Sequence, residues 1–356
     1  MKSPYAILYW IERHVKPMRR SRQKTLSDVV AAAMNLTGTG VLALGRSLPG
    51  RTTAKHSIKR VWRFFKNSRV EVEVVQQTLA SELAPPNTPV VILLDWTEYG
   101  GYQTLTASLP RDGRSLAIWW RTILRHSGEG TLVDAEKEVL WALRRLFPFR
   151  NDLILVADRG FGNTRWLGDV EKWGWGYVQR ISGSVYIENE TSRRALKDLP
   201  VFRGSDSRDW GWVHLTLENR MRVRLVTTWS QGAKEPWYLA TNLDRIPPKI
   251  TRMYKRRMWI EEEFRDLKNR KWGLGFAESG LSSADREDRR WAVLALAHLF
   301  LMAYGAAAEE AGFAAHFLPN PAREREMSLA RLGYFIIQTA MQSIQDAIEA
   351  LNRVPP

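Results

Sequence analysis

The chain has 356 residues, 44% of them hydrophobic, enough for a sizeable buried core and for two or three domains. It contains no cysteine, which excludes disulfides and thiolate metal sites and fits a reducing cytoplasm. Its formal net charge is +15, and residues 1–70 hold fifteen lysines and arginines against two acids, Glu12 and Asp28. Such asymmetry points to a polyanion, nucleic acid first and an anionic membrane surface second.

Residues 1–85 read as helical and basic. A brief apolar patch at 6–10 is closely followed by Glu12, which does not make a signal peptide. Segment 57–67, SIKRVWRFFKN, alternates basic and aromatic residues at helical spacing. Ile58, Val61, Trp62 and Phe65 are expected to face a core, and Lys59, Arg60, Arg63 and Lys66 to face out. Lys59, Arg60 and Arg63 are therefore candidate DNA contacts, against the plainer reading of a solvated amphipathic helix. Ala84, Pro85, Pro86 and Asn87 form a plausible linker.

Strands follow. Residues 90–94, VVILL, are a continuous apolar run ending at Asp95, as expected of a strand buried on both faces. Gly100-Gly101 is a turn, 102–109 a second strand, Asp112-Gly113 a hairpin turn and 115–124 a third strand. A helix over 133–146 leads to a buried strand, 153–157, ending at Asp158; a helix over 164–173 and a strand over 177–181 complete the set. Right-handed crossovers place the fourth strand beside the first, with Asp95 and Asp158 at one sheet end. This is the element order of a ribonuclease-H-like α/β fold, as in retroviral-integrase-like catalytic domains.

Segments 185–189, 212–217, 222–229 and 237–242 read as antiparallel strands of a β-rich insertion. Residues 284–316 read as helix. The apolar run within it, 291–308, is short for a membrane span and contains His298, so it is expected to be buried. Pro319-Asn320-Pro321 breaks the chain before a terminal helix over 327–351. The expected organisation is a helical basic DNA-binding domain (1–85), a catalytic domain (86–183 and 248–318), the insertion (184–247) and a C-terminal helical segment (319–356).

The segment 254–268, YKRRMWIEEEFRDLK, reads as one helix. Tyr254, Arg257, Glu261 and Lys268 then fall on one stripe roughly 60° wide, with Arg265 at its edge and Glu262, Glu263 and Asp266 pointing elsewhere. A phosphate backbone with a metal ion would suit this row. So would a plain ladder of ion pairs, Arg257–Glu261–Arg265. Asp95, Asp158 and Glu261, if brought together, make an oxygen-only cage for two divalent ions about 4 Å apart, as phosphodiester cleavage and transfer require. The six histidines lack zinc-ligand spacing, so the metal expected is magnesium or manganese.

The spacing Y-x2-R-x3-E-x6-K resembles the signature of bacterial insertion-sequence DDE transposases of family four, which include the cut-and-paste transposase of the "Tn-five" element. VILLDWTEYG and LILVADRGFGN are similar to the family's two aspartate blocks, and VWRFFKNSRV and EPWYLATNL also resemble family segments. The resemblance covers roughly residues 55–275. It implies Asp95, Asp158 and Glu261 as catalytic metal ligands for two Mg²⁺ ions, with Mn²⁺ substituting. It implies Tyr254, Arg257 and Lys268, with Arg265 nearby, on phosphates, and Trp237 stacked on a base flipped out during hairpin formation. Arg159, after the second aspartate, could touch DNA or be a plain loop residue. The implied partners are terminal inverted repeats and target DNA, and a second copy of the chain in a synaptic homodimer, which the terminal helix could join. The implied setting is the bacterial nucleoid, with no membrane. Two other readings stay open: a ribonuclease-H-like nuclease or resolvase that cuts without joining, and a catalytically silent DNA-binding repressor.

Overall fold

The computed structural model describes residues 4–353 apart from 36–37, 127, 162–163, 189–192, 217–219, 270, 272, 279, 318–326 and 340–351. Five helices come first: α1 (Pro4–His14), α2 (Arg20–Ala33), α3 (Val41–Ser47), α4 (Ala54–Lys66) and α5 (Val72–Leu83). A meander follows, β1 (Val90–Tyr99), β2 (Tyr102–Arg111) and β3 (Arg114–Leu124), then α6 (Glu129–Leu146), β4 (Leu153–Ala157), α7 (Thr164–Lys172) and β5 (Gly176–Ile181). Next come β6 (Tyr186–Glu188), β7 (Arg193–Ala195), β8 (Arg208–Leu215), β9 (Met221–Thr228) and β10 (Trp237–Thr241). The chain closes with α8 (Pro247–Lys255), α9 (Met258–Lys268), α10 (Ala284–Glu310) and α11 (Leu329–Thr339).

The strands make one mixed sheet in the order β3-β2-β1-β4-β5-β10-β9-β8-β6-β7. The two-residue turn between β2 and β3 works because Asp112 and Gly113 both adopt positive φ, 36° and 78°, matching the twist of a hairpin. β1 pairs antiparallel with β2 and parallel with β4. Every residue of β4 is buried, which fits an uninterrupted apolar run with cover on both faces. The strands read as an insertion continue the same sheet: β10 pairs antiparallel with β5 and carries β9, β8, β6 and β7 outward. The short strand β7 was not visible in the sequence pattern.

Several expectations need correcting. β1 runs on to Tyr99, so Asp95 lies inside the strand instead of ending it; the side chains after it still pair with β2, as Thr97 does with Thr104. Segment 254–268 is two helices, not one. At the joint Arg257 N–H donates to the Tyr254 carbonyl (2.9 Å), and Trp259 and Ile260 donate to those of Arg256 and Arg257 (2.9 and 3.1 Å). These are three-residue steps, the tighter 3₁₀ spacing. On α4, Phe64 is buried beside Val61 and Phe65, whereas Trp62 is exposed. Its ring lies between Lys66 and Arg286, 4.9 and 6.0 Å from the centroid, so cations replace the expected core. Arg60 is partly exposed and donates its guanidinium to Asp28. Lys59 and Arg63 face out.

α10 is the one described helix long and apolar enough to cross a membrane, and its apolar window is wholly buried in the protein. It packs against α2, α4, α5, β3 and α11, with Trp10 of α1 edge-on to Phe300 at 5.2 Å. α11 lies against α10 because Gly305 and Gly333 let the backbones meet. A Cβ on Gly305 would stand 1.9 Å from the Leu329 carbonyl oxygen, and one on Gly333 1.8 Å from that of Leu301. The break at 319–321 and the helix beyond 339 lie outside the described residues. Gly305→Ala must push the two helices apart, at about 1–3 kcal/mol. The expected result is a lower urea midpoint with an unchanged slope.

Candidate active site

In the parallel register Leu94 stands opposite Ala157. The next residue after each is an aspartate, so Asp95 and Asp158 are neighbours where the β1–β4 pairing ends, in the middle of the sheet. Burial on both faces positions the strands, and β4 ends where the aspartate begins. The third acid, Glu261, arrives on the first turn of α9.

One guanidinium joins all three. Arg257 Nη2 lies 3.0 Å from Asp95 Oδ2 and 3.4 Å from Asp158 Oδ2, and its Nη1 lies 2.5 Å from Glu261 Oε1. The Arg257 side chain is only 10% exposed. Tyr254 donates its hydroxyl to Asp158 Oδ1 at 3.0 Å. The 3₁₀ step at the α8–α9 joint explains this pair, since residues three apart eclipse one another there and both reach the same carboxylate. Of the alternative ladder, the Arg257–Glu261 rung forms and the Glu261–Arg265 rung does not; Arg265 pairs with Glu262 at 2.6 Å.

The acids differ in proton affinity. Burial raises Asp95 to about 6, outweighing Arg257 and the backbone N–H of Trp96. Burial pushes Asp158 upward too, but Arg257, the N–H of Arg159 and the Tyr254 hydroxyl together hold it below the usual carboxylate range. For Arg257, burial acts downward, and Asp95 and Asp158 more than reverse it, so the guanidinium stays charged. Burial lowers Lys268, with Glu98 and Asp95 opposing, and its ammonium donates to the Glu98 carbonyl at 2.8 Å.

An open cleft of about 610 Å³ lies over this cluster, lined among others by Asp95, Trp96, Arg257, Glu261, Arg265 and Lys268. Tyr254 and Trp237 sit beside it, their rings edge-to-face at 4.9 Å, with Trp237 partly buried. Arg159 is exposed and pairs with Glu235 at 3.1 Å. The site thus gathers Asp95, Asp158, Glu261, Tyr254, Arg257, Lys268 and Trp237. Lys59 and Arg63 stand on α4, in the helical part before the sheet.

Sequence reading missed Arg180, which reaches Asp158 (4.0 Å) and Glu235 (2.5 Å) from β5. The signal was a cation inside an otherwise buried strand, GYVQRI. It also missed the rear of α9. Glu263, fully buried, accepts from Ser115 and from the N–H of Ala117 (2.8 Å). Asp266 accepts from Arg114 at 2.9 Å, and His298 of α10 lies 3.7 Å from it.

Residues 133–300 match the family model of the transposase DDE domain. The match supports a DDE transposase. It includes Asp158 and Glu261 and begins after Asp95. No curated protein matches the chain.

DDE transposases generally use divalent metal ions. The donor set suits a hard cation, since three carboxylates converge on one guanidinium and carboxylate oxygens are the ligands such ions take. The spacing is set by Arg257: among the described residues no three His, Asp or Glu side chains are grouped closely enough to hold an ion as they stand.

The raised Asp95 predicts a pH effect. A carboxyl raised in the folded state contributes stability while protonated and loses it as pH climbs from about 4 to about 6. Asp95→Asn removes that penalty. The expected outcome is a variant more stable than wild type above pH 6, by at most about 3 kcal/mol, seen as a higher thermal midpoint that falls back to that of wild type near pH 4. Melting curves across that range check it.

Proposed function

We propose that this protein is a cut-and-paste DNA transposase of the insertion-sequence family-four type, cleaving at element ends and joining them to target DNA. The observation that carries this reading is the convergence of Asp95, Asp158 and Glu261 on one cation at the edge of the parallel β1–β4 pair. The transposase DDE domain match over 133–300 supports it.

In this reading Asp95, Asp158 and Glu261 hold two divalent ions, Mg²⁺ with Mn²⁺ as substitute. When bound, such ions supply an activated attacking oxygen and offset charge on the leaving oxygen. The chain's own residues do the rest. Arg257 and Lys268 bind the phosphates flanking the scissile bond, and Tyr254 fixes the Asp158 carboxylate through its hydroxyl. Arg180 balances the charge of Asp158 from the side. Trp237 stacks on an unpaired base if the ends pass through a hairpin, replacing stacking worth about 1–3 kcal/mol. Lys59 and Arg63 on α4 contact the DNA backbone outside the site. The working unit is a homodimer holding two element ends, in the bacterial cytoplasm at the nucleoid. In this proposal residues 1–85 form a basic helical DNA-binding domain, 86–183 and 248–318 the catalytic domain, 184–247 the β insertion and 319–356 a C-terminal helical segment.

Asp158→Ala is expected to abolish nicking and strand transfer while leaving end binding within about twofold, because the acid acts on the reacting phosphate. End-labelled DNA flanking the gene, incubated with protein and Mg²⁺ and resolved on a denaturing gel, measures the first; gel shift measures the second. Nicks without joined products would favour a resolvase-like nuclease. Binding without cleavage in wild type would favour a repressor.

A further inference from the structure

Beyond the active site, one face of the sheet carries cations stacked on aromatic rings. Trp237 pairs in register with Thr228 of β9, so its side chain shares a face with Arg224 and Arg222, two and three alternations along. Across β8 and β9, Trp212 pairs with Arg224 and His214 with Arg222. β6 continues the same face through Glu188, opposite His214 and, on β7, opposite Arg193. Tyr186 lies one alternation away. Arg180 of β5, opposite Leu239 of β10, is on this face as well. The face that presents Arg180 and Trp237 to the active site therefore continues, strand by strand, to Arg193.

Its outer half has a particular chemistry. Arg222 lies over Trp212 at 4.8 Å and Arg193 over Tyr186 at 5.5 Å. Trp212 is 46% exposed and Tyr186 49% exposed. Among the described residues, no carboxylate pairs with Arg193 or Arg222; the nearby Glu188 is held by Arg220 at 3.5 Å. An aromatic ring used only to fill a core would be covered. A cation placed only to neutralise an acid would have one. Here each guanidinium lies over a half-exposed ring with no acid bound to it, which leaves N–H groups for a partner with anionic oxygens. Five strand spacings separate β5 from β7, roughly 24 Å at about 4.8 Å each, or about seven phosphates along a DNA strand.

We infer that this outer sheet face is a second DNA-contacting surface, on which Arg222 and Arg193, held by Trp212 and Tyr186, bind backbone phosphates of the same DNA that enters the active site. The inference rests on the transposase reading and adds a track leading away from the acids. Nearer the cleft the face is closed, with Leu239 and Val226 buried and Arg224 held by Asp209 and Asp244. A phosphate chain is favoured over an acidic protein because Arg222 and Arg193 are the acid-free cations of a face that shares its register with the catalytic cleft.

The test is the salt dependence of binding to a labelled random-sequence duplex, measured by fluorescence anisotropy for wild type, R193A/R222A and K137A/K172A. The last variant removes the same charge from α6 and α7. Loss of two phosphate contacts lowers the slope of log K against log salt by about 1.8. That drop is expected in R193A/R222A only, with its melting midpoint within a degree or so of wild type. A slope equal to wild type, or an equal drop in the control, overturns the surface and leaves the transposase reading standing. Wild type that binds no duplex at any salt sinks both. A second measurement needs no variant. Bromodeoxyuridine duplex cross-linked to wild type by ultraviolet light should give adducts in peptides containing Trp212 or Tyr186, and adducts confined to other parts of the chain would overturn the proposal.

Discussion

The site is organised around one buried positive charge. Arg257 touches an acid from β1, an acid at the end of β4 and an acid on α9, so three distant stretches of chain are fixed relative to one guanidinium. Burying an arginine among apolar helices is costly unless carboxylates surround it, and burying three carboxylates is costlier without a cation. Each group makes the others tolerable. The balance is nevertheless incomplete: burial raises the proton affinity of Asp95 by more than Arg257 lowers it. A cluster built for stability alone would have matched its charges.

The rear of α9 makes the front possible. Glu263 and Asp266 lie on the helix face opposite the cleft, tied to β3 through Ser115, the Ala117 N–H and Arg114. His298 of α10 stands between them, 4.0 Å from Glu263 and 3.7 Å from Asp266. Polar bonds have direction where apolar contacts do not, so this arrangement fixes the rotation of α9 about its axis as well as its distance from the sheet. Glu261, more exposed than its partners at 42%, can then be aimed by the helix that carries it without being packed itself.

The sequence was most readable where one physical cause dominated. The runs VVILL and LILVA had to be buried strands, and the crossover rule put them side by side; that alone brought Asp95 next to Asp158. Spacing found Tyr254, Arg257 and Glu261, but not the joint that lets the first two share a carboxylate, because helix periodicity looks the same across a short 3₁₀ step. Trp62 misled for a related reason: periodicity marks it as apolar, while the cations Lys66 and Arg286, the second of them far away in the chain, keep it at the surface. Glu263 and His298 were invisible as a pair because Glu263 is one acid among several in IEEEFRD and His298 a lone polar residue in an apolar run. Only the packing of α9 against α10 and β3 gives them partners.

The β extension explains how Glu261 can lie so far along the chain from the aspartates it joins. The chain leaves β5 at Ile181, builds the outer strands of the sheet and comes back beside β5 on β10, where Tyr238 is the register partner of Ile181. Neighbouring strands are about 4.8 Å apart, so the excursion begins and ends at nearly the same point. From β10 a short segment leads to α8, whose Tyr254 is already at Asp158. The extension adds little to the cost of bringing the acids together, since the entropy of closing a loop grows only slowly with its length. It is not idle toward the site, because Glu235 within it holds Arg180 beside Asp158, and the shared sheet keeps its outer surface in fixed register with the acids.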